Sequence, residues 1–430
     1  MTLTPEQQTA FTAINQWLQN SSDPEFVLNG YAGTGKSTLV AYLIEQLGLN
    51  PILCTPTAKA ALVLRTKLKS STLRIGTIHS YLYQPTNSNN NLIISQLEAK
   101  LAGVADKTSE EAQRLAHQLN RERRKQIKGN PQFALKEDNN QPKELVIVDE
   151  ASMVTAQMRQ DLFARSHKIL YVGDSAQLPP VGCVGWFHKV TPDANLFNTQ
   201  RQALDSPIIR LAQSIRQGVE PTSFNHPGCV MRPGIDKEEY LKADQVIIGT
   251  NAGRHKLNRF FRQQLWGPGV WQGHLILPGE KLLCKQNQKQ DPLLVNGNLF
   301  RALGDEPTAP WVYTMSKPYK PVANAIEPVL MSEWEGEGTT YCDVWMGNLI
   351  HNYYEDVENV DRSIMLDHSI RYQLGCLDFD YGYGITVHAA QGSEWDKVIL
   401  CDDWAMNDRQ RWLYTAVTRA KSELVWVKKE

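Results

Sequence analysis

Gly30-Tyr31-Ala32-Gly33-Thr34-Gly35-Lys36-Ser37 has the spacing G-x-x-x-x-G-K-[ST], and these are the residue types that hold a polyphosphate. Glycines let backbone N–H groups close around phosphate oxygens, and a helix starting there adds a favourable dipole. In such a loop Lys36 reaches the β- and γ-phosphates and the Ser37 hydroxyl ligates Mg²⁺, while Gly30, Gly33, Thr34, Gly35 and Thr38 complete the cradle. A second set follows at Val146-Ile147-Val148-Asp149-Glu150, an apolar run closed by adjacent carboxylates. At the end of a buried strand, Asp149 can sit against the Mg²⁺ ion and Glu150 beside an attacking water. A third stretch runs Val172-Gly173-Asp174-Ser175-Ala176-Gln177-Leu178-Pro179-Pro180-Val181. There, Asp174 or Gln177 can orient that water or sense the γ-phosphate. A plain turn explains the glycine and the prolines, but not the glutamine.

The elements that must position these groups alternate in type. A helix is predicted over 5–18, with Phe11, Ile14 and Leu18 at helical spacing, Pro5 in its first turn and Thr4 as N-cap. Apolar strands at 26–28, 52–54, 145–148 and 169–172 intersperse with helical patterns at 38–47 and 55–68. A second region repeats the pattern: helices over 207–217 and 252–265, strands at 246–249, 385–387, 397–401 and 424–427. Buried strands alternating with helices predict an α/β fold of parallel sheets wound with helices, with ligands beyond the strands' carboxyl ends.

Two stretches break this pattern. In 81–143, Thr108-Ser109-Glu110-Glu111 fits a capping box and predicts a helix over 109–128. That helix ends in a basic run, 121–128, which reads as a solvated helix face or as a nucleic-acid contact. Further on, Asp138-Asn139-Asn140 is a turn signal that would close a small hairpin within 133–148. The other stretch, 279–377, has short apolar segments, Pro, Gly and aromatics, and reads as a compact β-rich insertion.

A length of 430 residues predicts two or three domains, and 42% hydrophobic with 21% charged residues is a globular balance. A net charge of −1 argues against coating nucleic acid by bulk charge, while leaving room for a local basic groove. The seven cysteines are dispersed without a C-x-x-C pair, which reads as reduced, mostly buried thiols and gives no zinc spacing. Neither a signal peptide at the start nor an uncharged apolar stretch near twenty residues is visible, so the expectation is a cytoplasmic protein without membrane contact. No cluster of carboxylates outside the phosphate site suggests a nuclease.

The order of these motifs resembles superfamily 1 helicases, specifically the RecD-like and Dda-like branch. Leu3-Thr4-Pro5-Glu6-Gln7 resembles the Q motif, implying that Gln7 reads the adenine edge. Thr55-Pro56-Thr57-Ala58-Lys59 and Thr77-Ile78-His79-Ser80 resemble motifs Ia and Ib, implying strand contacts from Pro56, Thr57 and His79. Asn198-Thr199-Gln200-Arg201 with Ile215-Arg216-Gln217-Gly218 resembles motif IV, implying Arg201 on the γ-phosphate. The stretch from Thr386 to Glu394 resembles motif V, implying Thr386 and His388 on the strand and Gly392 and Glu394 at the nucleotide. Tyr414-Thr415-Ala416-Val417-Thr418-Arg419-Ala420-Lys421 resembles motif VI, implying Arg419 as the arginine finger.

The resemblance implies two RecA-like P-loop NTPase lobes with ATP and Mg²⁺ in the cleft between them. The lobes are 1–80 with 144–195 and 196–278 with 378–430. Residues 81–143 are expected as an insertion carrying a strand-separating pin, and 279–377 as an SH3-like insertion. Phe133 is the candidate pin aromatic, with plain hairpin core as its other reading. His79 and His388 read as strand contacts or as polar residues satisfying buried backbone groups. Trp395 reads as core packing rather than a base platform.

The activity implied is an ATP-dependent DNA helicase moving 5′ to 3′ on single-stranded DNA, with roles in DNA repair, recombination or replication. Its expected partners are single-stranded DNA, single/double-strand junctions, and single-strand-binding or replication and recombination proteins; a monomer is expected. An RNA helicase of the same superfamily remains an alternative. So does a nucleotide-gated clamp or translocase without strand separation, although a binding-only module has no need of Lys36, Asp149, Glu150, Gln177 and Arg419 together.

Overall fold

Thr4 caps the first helix, α1 (Pro5–Asn20), through a reciprocal box: Gln7 N donates to its hydroxyl at 3.3 Å, and Thr4 N donates to Gln7 Oε1 at 3.0 Å. The computed structural model describes residues 2–68, 72–85, 100, 115, 133–136, 145–182, 185–198, 206–267, 275–288, 291, 293–308, 312–314, 317–319, 329–333, 339–342, 344–345, 377–403 and 408–428. Apart from residue 115, the helix expected over 109–128 lies outside them, as does Arg201.

After α1 the chain runs through β1 (Glu25–Gly30), α2 (Lys36–Gln46), β2 (Ile52–Thr55), α3 (Ala58–Leu68), β3 (Arg74–Thr77), α4 (Ile78–Leu82) and β4 (Tyr83–Pro85). It resumes with β5 (Phe133–Leu135), β6 (Leu145–Val148), α5 (Ala156–Arg165), β7 (Lys168–Gly173) and β8 (Ala194–Leu196). Six of these strands form one sheet, β3-β2-β6-β7-β1-β8, every pair parallel. Its central strands are near-continuous apolar runs because both faces are covered. Ile14, Leu39, Leu43 and Leu64 pack on one face; Ile78, Leu82, Leu162 and Phe187 pack on the other.

The turn expected at 138–140 lies outside the described residues, and within them β5 does not pair with β6. β5 pairs antiparallel with β4, placing Phe133 opposite Pro85, and Lys136 N donates to Leu82 O. β6 is unavailable because β2 and β7 occupy both of its edges. Residues 83–85 and 133–135 thus form a two-stranded stem. Tyr83 OH bonds the Asp161 carboxylate on α5, and Arg165 donates to Lys136 O at 2.7 Å.

The second lobe begins with α6 (Pro207–Arg216), β9 (Asn225–His226), β10 (Cys229–Arg232), α7 (Lys237–Leu241), β11 (Gln245–Ile248) and α8 (Asn251–Trp266). A separate segment follows: β12 (Lys281–Cys284), β13 (Leu299–Ala302), β14 (Val312–Thr314), β15 (Lys317–Tyr319), β16 (Val329–Glu333), β17 (Thr339–Cys342), β18 (Val344–Trp345) and β19 (Leu377–Tyr381). The lobe is completed by β20 (Gly384–Thr386), α9 (Val387–Ala390), β21 (Trp395–Asp402), α10 (Arg409–Val417) and β22 (Ala420–Lys428). Its sheet, β20-β11-β21-β22-β10-β9, is parallel except for β9. Two helix-wound sheets of matching layout make the fold a pair of RecA-like lobes.

The inserted strands form a third sheet, β17-β16-β13-β12-β19-β18, with β14 and β15 as a separate hairpin. β19 carries this sheet past the expected boundary at 377, because Leu377, Phe379 and Tyr381 join Leu282, Cys284 and Phe300 in one core. Buried ion pairs Arg262–Glu280 and Arg254–Asp380 (2.7 Å) tie α8 to this sheet and its entry turn. Among the described residues no helix is long and apolar enough to cross a membrane.

Candidate active site

The turn after β1 needs its glycines. Gly33 and Gly35 have φ of 76° and 79°, where L side chains are strained, and a Cβ on Gly30 would meet Lys36 Cγ and Thr34 Oγ1 at 2.9 Å. Lys36 Nζ donates to the carbonyls of Gly30 (2.6 Å) and Tyr31 (3.1 Å), so the lysine lies back along its own loop. Gln7 braces the loop from behind: its Nε2 donates to Thr34 O at 3.1 Å and Gly35 O at 3.5 Å. The structure therefore turns the Gln7 amide to the loop's backbone and to Thr4.

β6 delivers the carboxylates. Asp149 N donates to Cys54 O at 2.9 Å, and Asp149 Oδ1 accepts from Glu150 N at 3.0 Å. Glu150 then turns the chain with φ 56° and ψ 40°, the left-handed region that a glutamate rarely adopts. This conformation costs about 1–3 kcal/mol, and residues held in it cluster at functional sites.

These groups meet the second lobe across a cavity of about 460 Å³. From the first lobe it is lined by Gly33, Gly35, Lys36, Ser37, Thr38, Asp149, Glu150 and Gln177; the second lobe contributes Gly392, Ser393, Glu394, Arg419 and Lys421. Gln177 Oε1 is buried and has no hydrogen-bond partner among the described residues. Asp174 is wholly buried away from the cavity. Its carboxylate accepts from Tyr414 OH (2.8 Å) and Ala176 N (2.9 Å), so of the two alternatives Gln177 faces the site.

Arg419 is held from its own lobe. Its Nε donates to Thr415 O (3.0 Å), Nη1 to Ser393 O (3.1 Å) and Nη2 to Thr418 Oγ1 (3.1 Å). A guanidinium has five N–H donors, so this fixes the head and leaves donors for an anion.

Burial pushes the Asp149 carboxyl up, against the N–H of Glu150 and the charges of Lys36 and Lys67. Burial and then the neighbouring Asp149 raise Glu150, partly offset by Arg419 and Lys36. Two carboxyls held above their ordinary range beside cations match a site built for a further positive charge. Ser37 and Asp149 offer hard oxygen donors on one cavity wall, which fits Mg²⁺ accompanying a nucleotide.

The proposed strand contacts lie at corresponding edges of the two lobes. Thr77 ends edge strand β3 and caps α4, its hydroxyl accepting from Ser80 N at 3.0 Å; His79 lies in that first turn against the Tyr83 ring. Thr386 ends edge strand β20 and caps α9, accepting from Ala389 N at 3.4 Å, with His388 two residues on. Thr-aliphatic-His is thus used twice, on the same edge of each sheet. Burial holds both imidazoles below their ordinary pKa, so both favour the neutral form. Pro56 and Thr57 sit half-buried ahead of α3, where Thr57 Oγ1 accepts from Ala60 N at 3.2 Å.

Gln7, Gly30 and Thr34 stand behind the cavity wall rather than on it, and Phe133 belongs to the stem. Sequence reasoning gave no site role to Lys67, Ser393 and Lys421, which also line the cavity. Lys421 lies within the quoted motif VI. Lys67 carries no signal, because only the packing of α3 brings its end to Asp149.

Residues 2–227 match the family described as AAA domain, and residues 381–427 match the UvrD-like helicase C-terminal domain. The chain is 25% identical to the ATP-dependent RecD2 DNA helicase of Deinococcus radiodurans over 426 residues, covering 92% of this chain and 46% of that protein. It therefore spans less than half the length of this curated relative. Among solved structures it is similar to Pif1 helicase from Bacteroides in complex with ADP-AlF3 and ssDNA, with TM-score 0.53, 17% identity, and coverage of 100% and 93% of the two chains. Pif1 helicase from Candida albicans gives 0.51, 17%, 100% and 94%. The chain belongs to the AAA-domain family.

Proposed function

We propose that this chain is the motor of an ATP-dependent DNA helicase that moves 5′ to 3′ along single-stranded DNA and separates duplex. The observation that carries this reading is the shared cavity, where Lys36, Ser37, Asp149, Glu150 and Gln177 of one lobe face Arg419 of the other. Lys36 leaves the Gly30 and Tyr31 carbonyls to bind the β- and γ-phosphates. Ser37 and Asp149 would hold Mg²⁺, whose charge supplies electrostatic stabilisation of the transferred phosphoryl group. Glu150 takes a proton from the attacking water, Gln177 Oε1 orients it, and Arg419 neutralises charge that develops on the γ-phosphoryl oxygens. Arg201 adds a second cation from its lobe.

Because the anion lies between lobes, its binding favours closure and its cleavage weakens it. The paired Thr-His edges then grip the strand alternately, with Pro56 and Thr57 on the first-lobe side. DNA as the track is supported by the RecD2 relative and by the Pif1 structure holding ssDNA. The 5′-to-3′ polarity rests on resemblance to the branch.

The test is ATP turnover with and without single-stranded DNA, for the wild type and Lys36→Ala. DNA-stimulated turnover that Lys36→Ala abolishes while strand binding persists supports the reading; undiminished turnover in the variant overturns it.

A further inference from the structure

We propose that Tyr414 is a positioning residue that sets Gln177 and Arg419 in register with the P-loop, an inference that rests on the hydrolytic reading of the cavity. Tyr414 stands on α10 of the second lobe and is buried, yet among the described residues its hydroxyl bonds to the first lobe. It accepts from Ala32 N at 2.9 Å and donates to Asp174 Oδ2 at 2.8 Å. Ala32 lies in the P-loop just ahead of Gly33, and Asp174 opens the loop that ends in Gln177. One phenol therefore joins the two first-lobe segments that frame the γ-phosphate position.

The next residue continues the chain of contacts. Thr415 Oγ1 accepts from Leu178 N at 2.9 Å, and Thr415 O accepts from Arg419 Nε at 3.0 Å. Leu178 O in turn accepts from Gln391 Nε2 at 3.1 Å. Residues 414 and 415 thus bind the P-loop, the Gln177 loop and the arginine finger within one turn of helix. Beside them the Arg216 guanidinium lies 3.6 Å over the Tyr31 ring, a second grip on the same half of the P-loop. A tyrosine kept only for packing would need one hydrogen-bond partner, whereas this one bridges two loops of the opposite lobe. The phenol stays a donor, because burial and then Asp174 hold its pKa well above the ordinary value.

The experiment is DNA-stimulated ATPase of Tyr414→Phe, alone and combined with Arg419→Ala, after wild-type turnover and its loss in Lys36→Ala are established. Phenylalanine keeps the buried ring and removes both bonds. We expect kcat to fall about tenfold with KM for ATP moving less than about twofold, since misplacement acts on the transition state. In the Arg419→Ala background the further loss should shrink to about twofold or less, because the register no longer has a finger to serve. Unchanged kcat, or the full loss repeated in that background, overturns the proposal. If Tyr414→Phe fails to fold, Asp174→Asn carries the test: lowered kcat with unmoved KM supports it, and unchanged kcat overturns it. A wild type without turnover sinks the hydrolytic reading and Tyr414 with it. A wild type that turns over, matched by Tyr414→Phe, sinks Tyr414 alone.

Discussion

Glu150 combines a left-handed backbone with a carboxyl that burial and Asp149 hold above its ordinary 4.5. Only the ionised form can accept a proton from water, so kcat should have an acid limb on which it rises with pH. Glu150→Gln should remove that limb and lower kcat by roughly 10²–10⁴-fold with KM for ATP little changed. A full-rate variant with the same pH profile would take Glu150 out of the mechanism. The linkage has a definite sign. A carboxyl whose folded pKa is raised costs native stability once pH exceeds its unfolded pKa, and the cost is full above the folded value. Glu150→Gln should therefore raise the thermal midpoint at pH 7, and by less at pH 4. Arg419 acts at the same scale from the other lobe. Arg419→Ala should cut kcat by about 10³-fold or more while leaving ATP affinity within a few-fold, measured by steady-state kinetics and nucleotide titration.

At the scale of elements, the carboxyl ends of β1 and β6 set the phosphate wall, while the caps of α4 and α9 set the strand edges. Thr77→Ala and Thr386→Ala should each cost about 1 kcal/mol in urea unfolding, because each leaves a first-turn N–H without its side-chain acceptor. Arg262 is buried against Glu280, lies 4.2 Å from the Tyr381 ring centre and donates to Leu275 O at 3.0 Å. Arg262→Ala leaves a buried carboxylate without its cation and should cost about 3–5 kcal/mol in the same measurement, loosening the third sheet from α8. Elements of this kind differ in how visible they are in sequence. The P-loop was legible because its chemistry is local: glycine positions, lysine and serine follow one another within a single turn. Asp149 and Glu150 were legible because an apolar run ends on them. The partner of β5 was not, since pairing across an insertion of nearly fifty residues leaves no mark on the strand itself. The bonds from Gln7 to the Thr34 and Gly35 carbonyls were not legible, because a capping box looks the same whichever neighbour its amide finally meets. Tyr414 stood in plain view within a motif, but its partners lie in the other lobe.

The whole molecule carries a net charge of −1, so attraction to a polyanion has to be local rather than global. Its two lobes already touch through Tyr414, Thr415 and Gln391, which confines the nucleotide's work to closing a cleft whose walls are in contact at one end. Closure and release in a cleft of that kind yield directional motion only if the two strand edges exchange their grip during each cycle. The most direct measurement is strand separation with ATP on duplexes bearing a 5′ or a 3′ single-stranded tail, in DNA and in matched RNA. The account predicts separation of the 5′-tailed DNA duplex, abolished by Lys36→Ala. ATP hydrolysis without separation of any duplex, or separation of 3′-tailed or RNA substrates alone, would contradict it.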